Sequence, residues 1–206
     1  MIDSLLNLDR TVSVAINSWH SPFWDSIMLF LSNKYAMIPL YALIVLYIIC
    51  RRKFTIRNRE YYNSWKIVSI ILICCLAAFA FADIVGHDVI KPYFHRLRPG
   101  YDFYTWDLVR TPDGKGGAWS FVSNHAFNFF AFATAISLFV RRKWFSCFIF
   151  LLAAAVCYSR VYLARHFLGD VLCGALLGII TGYIFYRISA WIINILAYSR
   201  AIRKIR

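Results

Sequence analysis

Apolar residues in this chain run in long blocks. Uninterrupted stretches extend from Tyr35 to Cys50, Ile67 to Val85, Ala126 to Val140, Trp144 to Tyr158 and Phe167 to Tyr186. A helix that crosses a bilayer needs roughly 17–25 residues. The shorter blocks can lengthen, Trp144 to Tyr158 onward to Leu163, and the first backward through Ile27–Leu31 if Lys34 snorkels to the interface. Backbone groups in hydrocarbon must be satisfied within the segment, so these are helices and not strands. Residues 1–20 differ: Leu5, Leu6, Leu8, Val12, Ile16 and Trp19 are set among Asp3, Asp9, Arg10 and Asn17, the pattern of an amphipathic helix in the interface. The start lacks the basic region and clean apolar core of a cleavable signal peptide. The expected fold is all-α: a polytopic membrane bundle of five transmembrane helices, with the N-terminal segment as an interfacial amphipathic helix or as a sixth span. No linker-like stretch divides it, so 1–206 is expected to be a single domain.

Composition agrees with a membrane chain. Hydrophobic residues make up 61% and charged residues 16%, where soluble domains have roughly 45–50% and about 25%. The formal charge of +13 points towards phosphate, and the apolar content selects a membrane over nucleic acid as partner. The cations are unevenly placed. The 51–66 connection, the 141–143 turn and the 187–206 tail hold fourteen Lys and Arg against one acid; the 87–121 segment and the 159–166 turn hold seven. The positive-inside rule makes the first set cytoplasmic and turns 87–121 and 159–166 outward. The six cysteines fall within or at the ends of the apolar blocks, where they read as packing residues.

The outward side collects the polar chemistry. Lys91 and Arg98 follow the second block, Ser123, Asn124 and His125 precede the third, and Arg160, His166 and Asp170 bracket the turn before the fifth. One ammonium and two guanidinium forks suit the oxygens of a phosphate ester. The helix N-termini near Asn124 and Phe167 offer amide donors as well. His166 and Asp170, four apart at a helix start, share a face, so the carboxylate can orient the imidazole as a nucleophile. His125 can protonate the leaving oxygen and later deprotonate water. Taken singly, each feature has an ordinary reading: a structural His–Asp pair, headgroup anchors, a serine cap. Their joint occurrence on one side is the signal.

These stretches resemble the signature of the type 2 phosphatidic acid phosphatase superfamily, KxxxxxxRP, PSGH and SRxxxxxHxxxD. Lys91 to Pro99 and Ser159 to Asp170 match the first and third by type and spacing. The second reads Val122-Ser123-Asn124-His125, so an asparagine side chain stands where the motif has glycine and is expected to narrow the phosphate pocket. The resemblance implies His166 as nucleophile, Asp170 as its orienting carboxylate and His125 as general acid. It also implies that Lys91, Arg98, Ser123, Asn124 through its backbone N–H, and Arg160 hold the phosphate, with no metal or other cofactor. Arg96, Arg165, His95 and His87 lie outside the matched positions and are left as supporting or headgroup contacts. An aromatic loop, with Tyr101, Phe103, Tyr104, Trp106 and Trp119, suits the lipid–water boundary and is expected to cover the headgroup. The expected activity is a metal-independent lipid phosphatase at the outer face of the bacterial inner membrane, with undecaprenyl diphosphate the favoured substrate. The alternatives are lipid A or phosphatidylglycerophosphate phosphatases of the same superfamily and, from another class, an anion or lipid-phosphate transporter. The partners are the bilayer and a lipid phosphate, not nucleic acid.

Overall fold

The computed structural model describes residues 2–33, 35–51, 53–56, 59–62 and 64–203. Within them the chain forms seven helices: α1 (Ile2–Ser18), α2 (Pro22–Ser32), α3 (Ile38–Cys50), α4 (Trp65–Phe94), α5 (Asn124–Val140), α6 (Lys143–Tyr162) and α7 (Leu168–Arg203). One antiparallel hairpin, β1 (Lys53–Ile56) with β2 (Arg59–Tyr62), is added between α3 and α4. The all-α membrane bundle expected from the blocks is therefore present, with a small β element on the basic connection. Phe54 and Ile56 of β1 are fully buried against the bundle. Lys34, Arg52, Arg57, Lys204 and Arg206, read above as part of the charge pattern, lie outside the described residues.

Three helices are long and apolar enough to cross a membrane, Trp65–Phe94, Lys143–Tyr162 and Leu168–Ala197; Ile38–Cys50 and Asn124–Val140 are shorter. Five full-length spans are thus three long helices and two short ones. The first block does not extend backward. Ile27–Leu31 belong to α2, which is capped by the Ser21 hydroxyl accepting from the Trp24 amide and ends at Asn33 in an extended conformation. At 17 residues, α5 reaches only about 25 Å, short of a ~30 Å hydrocarbon core. It is buried along most of its length by its neighbours and ends at Arg141 in a left-handed cap.

Close packing of α5 on α7 comes from a glycine stripe. Gly174, Gly178 and Gly182, spaced by four, face the α5 backbone. An added Cβ at Gly174 would lie 2.7 Å from the Ser123 carbonyl oxygen, and one at Gly178 would lie 2.5 Å from that of Phe127. Small residues at such a stripe let helix backbones touch, which is how helices associate where both lipid and side chains are apolar.

In α4 the buried stripe Ile71, Cys75, Ala78, Ala82, Gly86 advances by three or four residues, then jumps five to Lys91. The cause is a π-helical turn at Val85–Ile90. One extra residue in that turn rotates the end of the helix beyond it, so Lys91 is buried while Val89 and Tyr93 are exposed.

The first helix turns its polar stripe inward. Ser13 and Asn17 are buried, whereas Leu5 and Leu8 are 60–61% exposed. That is the reverse of a soluble amphipathic helix and fits a helix bounded by lipid on its outer side.

Gly178→Ala places a methyl against the α5 backbone and is expected to cost about 1–3 kcal/mol, the range for overpacking. Gly117→Ala, which meets nothing within 4 Å, serves as the control. Thermal unfolding in detergent should show a lower midpoint for the first and little change for the second.

Candidate active site

The eight residues singled out by motif spacing come together where α4, α5, α6 and α7 end on one side of the bundle. Lys91, Ser123, Arg160, His166 and Asp170 are buried. His166 lies in the field of Arg160, Arg98 and Lys91, and His125 in that of Arg160, His166 and Lys91. Among the described residues no carboxylate forms an ion pair with Lys91, Arg98 or Arg160. The Nε of Arg160 is buried without a hydrogen-bond partner. Burial together with the two guanidiniums and the ammonium holds the His166 imidazole well below the ordinary histidine value, so it is neutral at pH 7.

Asp170 stands in the first turn of α7 and is fully buried. Its Oδ2 accepts from the Phe167 amide at 2.9 Å, the backward half of a capping box, and from the Ser120 hydroxyl. Its Oδ1 accepts from Arg96 Nη1 at 2.7 Å. His166 Nδ1 is 3.8 Å from Asp170 Oδ2 and 3.5 Å from Ser120 Oγ. The carboxylate anticipated as the ring's direct partner is therefore reached through Ser120, whose hydroxyl donates to Asp170 and whose backbone carbonyl accepts from the His166 ring. With the proton on Nδ1, the nitrogen facing Ser120 Oγ, Nε2 keeps the lone pair.

The head of α7 does not supply free amides for an anion, contrary to the sequence expectation. Besides Phe167, the Leu168 amide donates to Ser13 Oγ at 2.9 Å and the Gly169 amide to Asp9 Oδ1 at 2.8 Å. Both acceptors come from α1. The head of α5 fits the expectation better. Ser123 caps it by accepting from the Ala126 amide, and its own amide donates to the Asp170 carbonyl at 3.1 Å. The amides of Asn124 and His125 make no hydrogen bond among the described residues.

His125 is held from α2. The Ser32 carbonyl accepts from its ring, and the Ser32 hydroxyl accepts from Arg160 Nη1. The Asn124 side chain turns away towards α4, where Nδ2 donates to the backbone oxygen and Oδ1 of Asp83, each at 3.1 Å. Asn128 donates to the same Oδ1 at 3.1 Å.

Outside the matched positions, Arg96 and Arg165 are both engaged by carboxylates. Arg96 joins Asp170 to Asp9, and Arg165 pairs with Asp113 at 2.8 Å to pin the glycine turn of the aromatic loop. Gly116 in that turn has φ +70° and sits where a Cβ would strike the guanidiniums of Arg165 and Arg98. His87 pairs with exposed Asp88, and His95 packs edge-on against Trp119. Spacing gave no sign of Ser120 or Ser32. The polar stripe Asp9, Ser13, Asn17 could have flagged α1 as a partner of the site, since its four-residue interval puts all three on one face. Among the described residues no group of three His, Cys, Asp or Glu side chains is placed to hold a metal ion.

Comparison with known proteins gives a consistent answer. The profile of the PAP2 superfamily matches residues 71–194. Lipid A 4'-phosphatase of Bacteroides thetaiotaomicron is 34% identical over 92% of this chain and 80% of its own length. The protein of the same name in Porphyromonas gingivalis is 26% identical over 91% and 75%. The crystal structure of a transmembrane PAP2 type phosphatidylglycerolphosphate phosphatase from Bacillus subtilis superposes with a TM-score of 0.62 at 20% identity, covering 88% of this chain and 84% of that one. It shares the fold.

Gly116→Ala should push Arg98 out of place and weaken inhibition by inorganic phosphate by about tenfold, equivalent to roughly 1.4 kcal/mol. Gly114→Ala carries the same backbone strain, at φ +71°, with nothing within 4 Å. It should leave the phosphate inhibition constant unchanged.

Proposed function

The chain belongs to the PAP2 superfamily and is a multi-pass membrane phosphatase of that type, and we propose that its substrate is lipid A, from which it removes the 4'-phosphate. The observation that carries the substrate is the 34% identity to a lipid A 4'-phosphatase over nearly the whole of this chain. The second relative of that name supports it. Both favour lipid A over undecaprenyl diphosphate, the substrate preferred from sequence alone.

The reaction runs in two displacements. The phosphate oxygens are taken by Lys91, Arg98, Arg160 through its unpartnered Nε, Ser123, and the amide of Asn124, donors aimed at a spreading negative charge. Nε2 of neutral His166 attacks phosphorus, while His125, which takes up a proton as the phosphate dianion binds and keeps its other N–H on the Ser32 carbonyl, gives that proton to the departing sugar oxygen. Asp170, acting through Ser120, keeps the proton of His166 on Nδ1 and stabilises the positive ring that forms. Water then attacks the phosphohistidine, with His125 taking its proton, and phosphate leaves. No step calls on a metal. The site opens to the periplasmic side of the bacterial inner membrane, with the basic loops and C-terminus cytoplasmic, a reading supported by the uneven placement of Lys and Arg.

Phosphate release from lipid A, undecaprenyl diphosphate, phosphatidylglycerophosphate and phosphatidic acid at one detergent ratio tests the substrate. Lipid A should be turned over fastest and chelator should not slow it; a faster rate on the diphosphate would reverse the assignment. His166→Ala should abolish release, whereas uptake into liposomes without release would indicate transport. The acid limb of kcat/KM should lie below pH 6.5, because the depressed His166 stays unprotonated there. Arg98→Ala should move that limb upward on the same substrate. The sign carries over to folding: an unfolded imidazole binds a proton that the folded one refuses, so stability should decline as pH falls through the ordinary histidine value.

A further inference from the structure

The N-terminal helix lies outside the residues matched by the family profile, yet its side chains reach the catalytic turn. Asp9 Oδ2 accepts from Arg96 Nη2 at 2.6 Å, and Asp9 Oδ1 accepts from the Gly169 amide at 2.8 Å. Arg96 in turn donates to Asp170 at 2.7 Å and sits over the Phe167 ring, 4.4 Å from its centre. One guanidinium is thus shared by two carboxylates and held on a face. We propose that Asp9 is a positioning residue for the reaction, tethering Arg96 and the first turn of α7 so that Asp170 and His166 keep their reacting geometry. The inference rests on the assignment of His166 and Asp170 made above.

Three features support it. First, the arrangement is built in from both sides. Gly169 leaves room for the Asp9 carboxylate, since an added Cβ would lie 2.9 Å from its Oδ2. Second, α1 is fixed in register by two further contacts four residues apart each time. Ser13 accepts from the Leu168 amide, and Asn17 bridges the Tyr162 carbonyl at 2.6 Å to the backbone of Arg110 at 2.8 and 2.9 Å. The helix therefore spans the connection between α6 and α7 that carries His166. Third, Asp170 needs a fixed partner on Oδ1 to leave Oδ2 for Ser120 and the Phe167 amide. A guanidinium anchored at its far end provides one, while an Arg96 released by Asp9 can follow water or the substrate phosphate instead. Small misplacements near a reacting group are costly in rate.

The test is steady-state kinetics with a lipid phosphate that the parent protein turns over. Asp9→Asn retains an acceptor for the Gly169 amide but loses the ion pair. It should keep the thermal midpoint, leave KM within about twofold and lower kcat by about tenfold to a hundredfold, the range for a small misplacement. Gly169→Ala, which displaces Asp9 without removing any functional group, should do the same to a lesser degree. In the Arg96→Ala background, Asp9→Asn should have no further effect on kcat, because the two act in series. Unchanged kcat in Asp9→Asn would overturn the proposal, as would multiplication of the two losses or a fall in kcat that only tracks the folded fraction. Full activity in His166→Ala would instead overturn the underlying assignment, so the two failures are distinguishable.

Discussion

Three basic side chains, Lys91, Arg98 and Arg160, surround His166 at a site in which the carboxylate of Asp170 is already engaged by Arg96, Ser120 and the Phe167 amide. Uncompensated charge away from water costs several kcal/mol per ion, and like charges repel on top of it. A fold bears such a cost where an anion is to be bound. The need to hold these groups together against repulsion accounts for much of the rest of the structure. The π turn of α4 rotates Lys91 inward, the end of α2 grips Arg160 and His125, and Arg165 ties the aromatic loop to the turn that carries His166.

The same packing that makes the bundle sets the spacing of the site. His125 sits at the head of α5, and His166 with Asp170 at the head of α7. The glycine stripe brings these helices into backbone contact, and its first member, Gly174, touches the carbonyl of Ser123. One turn above it, the Ser123 amide donates to the carbonyl of Asp170. A hydrogen bond thus joins the cap of α5 to the first turn of α7. The separation of the two imidazoles is consequently fixed by small residues buried one to three turns deeper, which hydropathy ranks as ordinary membrane sequence.

What was legible in the chain depended on whether its partners were local. The motif residues and their convergence could be read, because all lie at or within a few residues of helix ends and the topology carries those ends to one side. The relay through Ser120 could not, since its partners lie 46 and 50 residues away. Nor could the grip of Ser32 on Arg160, across 128 residues. Hydropathy reported the apolar blocks but not their interruption at Asn33, nor that neighbouring helices cover α5 along most of its length. The hairpin escaped notice because its alternation, Phe54 and Ile56 inward with Lys53 outward, lasts four residues, too short a run to stand out beside basic residues. The amphipathic pattern of the N-terminal helix is legible, but not what its polar face meets: Ser13 and Asn17 cap and bridge buried backbone.

Asn124 shows how a departure from a motif is absorbed. On sequence grounds its side chain should crowd the phosphate, since the motif has glycine there. In the fold the amide leaves the pocket and donates twice to Asp83, and it fits because the residue facing it is Gly86, where a Cβ would lie 2.9 Å from Asn124 Oδ1. Volume added on α5 is matched by volume absent from α4. Asp83, a carboxylate in an apolar helix, gains amide donors from Asn124 and Asn128, which lowers the cost of having it there. The exchange leaves the backbone amide of Asn124 in place at the head of α5. The amide is the one part of that residue the proposed mechanism uses, so the substitution is compatible with it and moves the point of variation from the pocket to the α4–α5 contact behind it.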